Sequence, residues 1–86
     1  MEENRTSSSL ITYSGLKSIE VFKTNVTEEK EANRVLSILH NQFPRYDIHF
    51  DLEDCDRILR IEGHAVFNEQ IIELLSKLGY VCIALV

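Results

Sequence analysis

The chain has 86 residues, 44% of them hydrophobic and 27% charged, which is typical of one small globular domain. Its 14 acidic and 9 basic residues give a net charge of −5, which argues against a nucleic-acid partner because the phosphate backbone is also anionic. No apolar run approaches the roughly 20 residues that a membrane span needs, so we expect no membrane partner and a cytoplasmic location.

The N-terminal stretch differs in composition from the rest of the chain. It is polar, contains three consecutive serines, and has the sequence LITY at residues 10–13 as its one apolar island. We expect residues 1–17 to form a flexible lead-in and residues 18–86 to form a single domain. A short docked strand at LITY is the alternative.

Two sequence periods predict the first two elements of the domain. Residues 18–24 (SIEVFKT) are rich in β-forming residues and predict a strand whose alternate side chains face opposite sides of a sheet. From Ala32 onward, apolar residues recur at the spacing of one helical face, and Pro44 ends this helix. The first strand places Ile19 and Val21 on one face and Glu20 and Phe22 on the other.

The second half of the chain predicts a hairpin, a second helix and a last strand. Residues 46–54 (YDIHFDLED) and residues 57–63 (RILRIEG) alternate as half-buried strands do, with the turn EDCD between them. Asn68 can cap the second helix, and Gly79 can end it in the left-handed conformation. Residues 80–86 (YVCIALV) are apolar throughout and predict the last strand.

The order of these elements, βαββαβ, predicts an α+β fold of the ferredoxin-like type. In this arrangement four antiparallel strands follow the order 4-1-3-2, and both helices cover one face of the sheet. The loop after the first strand, the hairpin turn and the turn before the last strand then lie at one end of the sheet. The last strand lies at an edge.

Residues 18–85 resemble the heavy-metal-associated domains, the copper-chaperone-like family. Their loop reads Met-Thr-Cys-x-x-Cys, with apolar helix positions four and eight residues after the second cysteine. With Val35 and Leu39 on those positions, VTEEKE falls on the motif, and Glu28 and Glu31 stand where the cysteines would be. The segment NEQIIELLSKLGYVCIAL is similar to the closing helix, Gly-Tyr turn and last strand of the family. The resemblance implies this scaffold and a metal-transfer role, but the defining ligands are absent.

The two glutamates argue against copper transfer. Cu(I) selects sulfur ligands, whereas carboxylates suit harder cations. Acidic side chains in the first turn of a helix are also stabilised by its dipole, by about 0.3–1 kcal/mol each, and Thr27 can cap this helix. We therefore expect no soft-metal site and no cofactor.

A weak divalent-cation site, or residual metal handling, is the alternative function. The predicted fold brings a second acidic cluster, in the hairpin, to the same end of the sheet. The candidate ligands are Glu28, Glu31, Asp51, Asp54, Cys55 and Asp56. Calcium takes six to eight oxygens, and the turn lacks the spaced Asp-Gly-Glu pattern of an EF-hand. A solvated turn and a docking surface for a basic protein are the other interpretations.

The sequence predicts no catalytic residues. It contains no Ser/His/Asp set and no Gly-rich loop. The third strand lacks the base-stacking aromatics of RNA-recognition modules. The loop after the first strand is anionic, so it does not suit phosphate. We therefore expect a non-enzymatic protein.

Association through the sheet remains as the expected function. The last strand is apolar on both faces, and an unpaired edge strand can add a strand from another chain. We expect the interaction residues on the face that the helices leave open, and these are Phe22, Cys82, Ala84 and Val86. The alternative is that the LITY segment covers this surface.

The sequence therefore predicts a non-catalytic interaction module that acts through a protein partner or as a homodimer. A small-molecule regulatory domain is a third possibility, which only an analogy of fold supports.

Overall fold

The computed structural model describes residues 17–85, which form two helices and four strands in the predicted order. The elements are β1 (Ser18–Thr24), α1 (Glu29–Gln42), β2 (Asp47–Asp51), β3 (Ile58–Gly63), α2 (Asn68–Lys77) and β4 (Cys82–Leu85). The strands form one antiparallel sheet in the order β2-β3-β1-β4, which is the order 4-1-3-2 read from the other edge. The ferredoxin-like α+β fold is confirmed. The predictions for residues 1–16 and for Val86 lie outside the described residues.

The register of β1 decides which face of the sheet the helices cover. Phe22 lies opposite Leu59 of β3 on one side and opposite Ala84 of β4 on the other. Facing residues of antiparallel strands project to the same face, so these three side chains form one row. Both helices contribute to the core around this row, with Val35, Leu39, Ile71 and Leu75 buried against Phe22 and Leu59.

The prediction that Phe22, Cys82 and Ala84 lie on the open face is wrong. Phe22 is 0% exposed and Cys82 is 7% exposed, and Ala84 packs against the same core. Because β1 and β4 carry apolar residues on both faces, alternation along either strand could not distinguish the covered face from the open one. The open face instead receives the intervening residues Ile19, Val21, Ile83 and Leu85.

The helix ends differ in part from the sequence prediction. The helix α1 begins at Glu29, one turn before the apolar stripe, and Glu28 occupies the N-cap position without a side-chain cap bond, so Thr27 is not the cap. Asn68 is the first residue of α2, and its Nδ2 donates to Oε1 of Glu20 at 3.2 Å. Gly79 has a φ of +95°, which confirms the left-handed conformation predicted after α2.

A close contact in β3 generates the first prediction. A Cβ added at Gly63 would overlap the ring of Tyr46. This ring is held in place, because its hydroxyl donates to the Ala65 carbonyl at 2.8 Å and its face stacks on Phe43 at a centroid distance of 5.3 Å. We predict that Gly63→Ala lowers the free energy of unfolding by about 1–3 kcal/mol, measured by urea denaturation.

The control for this prediction is a double-mutant cycle. Tyr46→Leu removes the ring, so the double variant should lose less stability than the sum of the two single variants. Losses that simply add would show that the Tyr46 ring is not the reason why glycine is required at position 63.

Candidate functional site

Three loops meet at one end of the sheet, as the fold prediction requires. The loop after β1 is tied to the hairpin because the Thr24 N–H and Oγ1 both donate to the Arg57 carbonyl, at 3.2 and 2.7 Å. It is tied to the turn before β4 because the Val81 N–H donates to Asn25 Oδ1 at 2.8 Å. The Asn25 N–H donates back to the Val81 carbonyl at 3.3 Å. The start of the loop that resembles the metal-binding motif is therefore bonded to both neighbouring turns.

The carboxylates of this end do not assemble into the six-ligand site of the alternative function. Among residues 17–85, one group of potential ligands has its atoms within 4.8 Å of one another, and it consists of Asp54, Cys55 and Asp56. Glu28 and Glu31 lie at the start of α1 and do not belong to this group. Asp51 is also outside it.

The hairpin carboxylates bind groups of the protein itself. Oδ1 of Asp51 accepts hydrogen bonds from the backbone N–H groups of Glu53 and Asp54, with N–O distances of 3.2 and 3.3 Å. Oδ1 of Asp54 accepts the Asp56 N–H at 2.9 Å, and Oδ1 of Asp56 lies 3.6 Å from Nζ of Lys23. Such side-chain to backbone bonds are typical of Asx turns, so these carboxylates stabilise the turn, and a cation would have to compete for their oxygens.

The two thiols lie in different environments and do not form a disulfide. Cys55 is exposed in the hairpin, beside Asp54 and Asp56. Cys82 is buried in the core, and burial raises the pKa of its thiol to about 12. Because the thiolate is the nucleophile and the soft-metal ligand, Cys82 is unsuited to either role.

A groove of about 510 Å³ lies between the start of α1 and the hairpin. Apolar side chains line part of the groove, and these are Ala32, Leu36, Phe50 and Leu52. The rest of the lining is polar, with Thr27, Asn33 and the carboxylates of Glu29, Asp51 and Glu53. Its lining includes no histidine, cysteine or lysine.

The second surface feature is an apolar row along β4. Within the described part of the chain, β4 has β1 as its one neighbouring strand. Val81, Ile83 and Leu85 alternate along this edge and are 53%, 52% and 40% exposed. We call these three residues the edge row. Ile19, on the open face of β1, is also exposed.

Sequence reasoning predicted this surface but assigned it to the wrong residues. It expected an apolar face on the last strand, and that part of the prediction agrees with the edge row. It chose Cys82 and Ala84 where the structure exposes Ile83 and Leu85. The predicted buried residues Leu59 and Ile61 identify the covered face of β3, but the pairing register that carries this face over to β1 and β4 has no signal in the sequence.

Comparison of the chain with protein-family models, with curated proteins and with solved structures gives no match. None of the described helices is long and apolar enough to cross a membrane. The geometry of the chain is therefore the basis of the functional proposal.

The glutamates of the loop after β1 generate the second prediction. Glu28 is the N-cap of α1 and Glu31 lies in its first turn, which is where two thiolates would be stabilised by the helix dipole. We predict that the natural chain retains no copper against a Cu(I) chelator, because its loop offers oxygen ligands. The double variant Glu28→Cys/Glu31→Cys should compete with the chelator at one equivalent.

The control variant, Glu29→Cys/Glu31→Cys, carries the same two thiols at the wrong spacing and should bind copper less tightly. Stoichiometric copper on the natural chain would contradict the prediction. Saturable amide shifts at Asp54 and Asp56 on addition of Ca²⁺ or Mn²⁺ would leave this prediction intact and would favour the alternative, a weak divalent-cation site.

Proposed function

We propose that the chain is a non-catalytic protein-interaction module that binds a protein partner through the edge row and the outer edge of β4, which pairs with no second strand among the described residues. The observation that carries this proposal is the exposure of Ile83 and Leu85 on one face of the edge strand β4, together with that of Val81 immediately before it. Contiguous exposed apolar surface marks interaction sites, and an unpaired edge provides main-chain hydrogen bonds to an added strand.

The contrast between the two sheet edges supports the choice of β4. The other edge strand, β2, presents Asp47, His49 and Asp51, which are exposed. Charged residues on an edge strand are a common protection against unwanted pairing. The strand β4 (CIAL) contains no charged residue and no proline. Of the two edges, β4 is therefore the one whose sequence permits association.

The scaffold proposed for this module is that of the heavy-metal-associated domains, without their metal-binding cysteines. The likeness of the loop and of the closing segment supports it, and Glu28 and Glu31 in place of cysteines separate the scaffold from copper transfer. The weak cation site is the less supported alternative, because Asp54 and Asp56 already bind groups of their own chain.

The proposal also includes a cytoplasmic location and a partner other than nucleic acid. Cys55 and Cys82 are both free thiols, and unpaired cysteines suit a reducing compartment. The net charge of −5 opposes binding to a polyanion.

The test of this proposal is the loss of a partner when the edge row becomes charged. We predict that Ile83→Lys/Leu85→Lys abolishes the recovery of a specific protein that the natural chain retains in a pull-down. The lysines would have to be desolvated on association, and they have no counter-charge in β4.

The matched control is His49→Lys, which places a lysine on the exposed face of the opposite edge and should leave the recovery unchanged. Circular dichroism of each variant would establish that the fold is retained. Recovery of the same protein in equal amounts with the natural chain and the β4 variant would overturn the proposal.

A further inference from the structure

We propose that the partner strand at β4 is the β4 strand of a second copy of this chain, paired antiparallel about a two-fold axis at Ile83. This inference rests on the proposed function, because it names the occupant of the same edge. Two sheets joined in this way would form one continuous antiparallel sheet, and the interface would be isologous, with the same surface on both copies.

The backbone of β4 presents a self-complementary set of hydrogen-bonding groups. The Asn25 N–H donates to the Val81 carbonyl, so Val81 belongs to a hydrogen-bonded pair with the adjoining chain segment. Antiparallel pairing alternates between hydrogen-bonded and non-hydrogen-bonded positions, so the backbone groups of Ile83 also face β1. Those of Cys82 and Ala84 then face away from the sheet, toward any added strand.

The bonding of Thr24 agrees with this assignment. Thr24 lies opposite Cys82, but its N–H donates to the Arg57 carbonyl on the β3 side. The pair of Thr24 and Cys82 is therefore a non-hydrogen-bonded pair, which leaves the backbone groups of Cys82 directed outward.

These outward groups determine the register of the dimer. Both outward-facing residues of each strand are paired when Cys82 lies opposite Ala84 of the second copy, and this places Ile83 opposite Ile83 of the second copy. A register centred on Cys82 or on Ala84 would pair just one of the two residues within β4. The register centred on Ile83 therefore satisfies the most backbone groups.

The side chains complement each other in the same register. Val81 lies opposite Leu85 of the second copy, so each member of the edge row meets another apolar side chain. The nearest charge across the strand pair is Lys23, opposite Ile83 in β1, and its Nζ lies 3.6 Å from Asp56 Oδ1 of its own chain. No like charges are therefore brought together at the axis.

The dimer is expected to be weak and to depend on salt. The contact is short, and interfaces that bury less than about 1,200 Å² are typical of transient association. Each copy carries a net charge of −5, so the two copies repel each other over distances that salt screens. We predict that sedimentation shows dimers forming between about 10 μM and about 1 mM, and that added salt strengthens them.

Disulfide cross-linking tests the register directly. Residues that face each other in a non-hydrogen-bonded pair have Cα atoms about 4.5 Å apart, which a disulfide can span. In a Cys55→Ser background, Ile83→Cys should cross-link to itself under mild oxidation. Cys82 is buried and has a raised pKa, so it should not compete.

The matched control is Leu85→Cys, whose copies would lie about 14 Å apart along the paired strands and should not cross-link. The double variant Val81→Cys/Leu85→Cys should cross-link, because it supplies thiols that face each other. Cross-linking of Leu85→Cys at the rate of Ile83→Cys, or none with Ile83→Cys, would overturn the register.

Amide hydrogen exchange distinguishes the other occupants of the edge. The Cys82 and Ala84 amides should exchange rapidly in dilute solution and slow as the concentration rises. Slow exchange at every concentration would mean that a segment of the same chain, such as LITY, covers the edge, and would overturn the dimer. Rapid exchange at every concentration would overturn the dimer. The proposed function would still hold if the natural chain recovered a different protein in the pull-down and Ile83→Lys/Leu85→Lys abolished that recovery.

Discussion

The structure depends on the cross-strand row in which Phe22 lies between Leu59 of β3 and Ala84 of β4. Successive side chains of a strand face opposite sides of the sheet, so burying Phe22 under the helices also decides the side taken by every other residue of β1 and β4. A slip of one residue would expose Phe22 and bury Lys23. The exposure of Ile83 is thus a consequence of the core.

The end of the sheet that resembles a metal-binding loop has a different physical basis. The start of the loop is held by hydrogen bonds from Thr24 to the Arg57 carbonyl and from the Val81 N–H to Asn25 Oδ1. These bonds join protein groups directly and need no metal ion. In the hairpin, Asp51 and Asp54 accept backbone N–H groups that a turn would otherwise leave to solvent. Local structure therefore accounts for Asp51 and Asp54, whereas the apolar edge of β4 has no second neighbouring strand among the described residues.

Much of the fold could be predicted from the sequence, because each element carries its own periodic signal. The apolar stripe through Val35 and Leu39 indicated α1, and the alternation around Ile48 and Leu59 indicated the hairpin. What the sequence could not supply was the choice of face for β1 and β4, since both strands are apolar on both sides. That choice is made by the pairing of Phe22 with Leu59, a contact between distant parts of the chain. For this reason the predicted interaction residues of β4 lie one position away from the exposed ones.

Comparison of amide spectra of the isotopically labelled chain at low and high concentration is the most direct test of the claim that the edge row is the binding surface. The account predicts that the shifts on concentration fall on β4 and are largest at the outward-facing amides of Cys82 and Ala84, and that the loop at Glu28 and the hairpin at Asp54 stay unchanged. Shifts that fall on the loop and the hairpin, with the β4 signals constant, would contradict it.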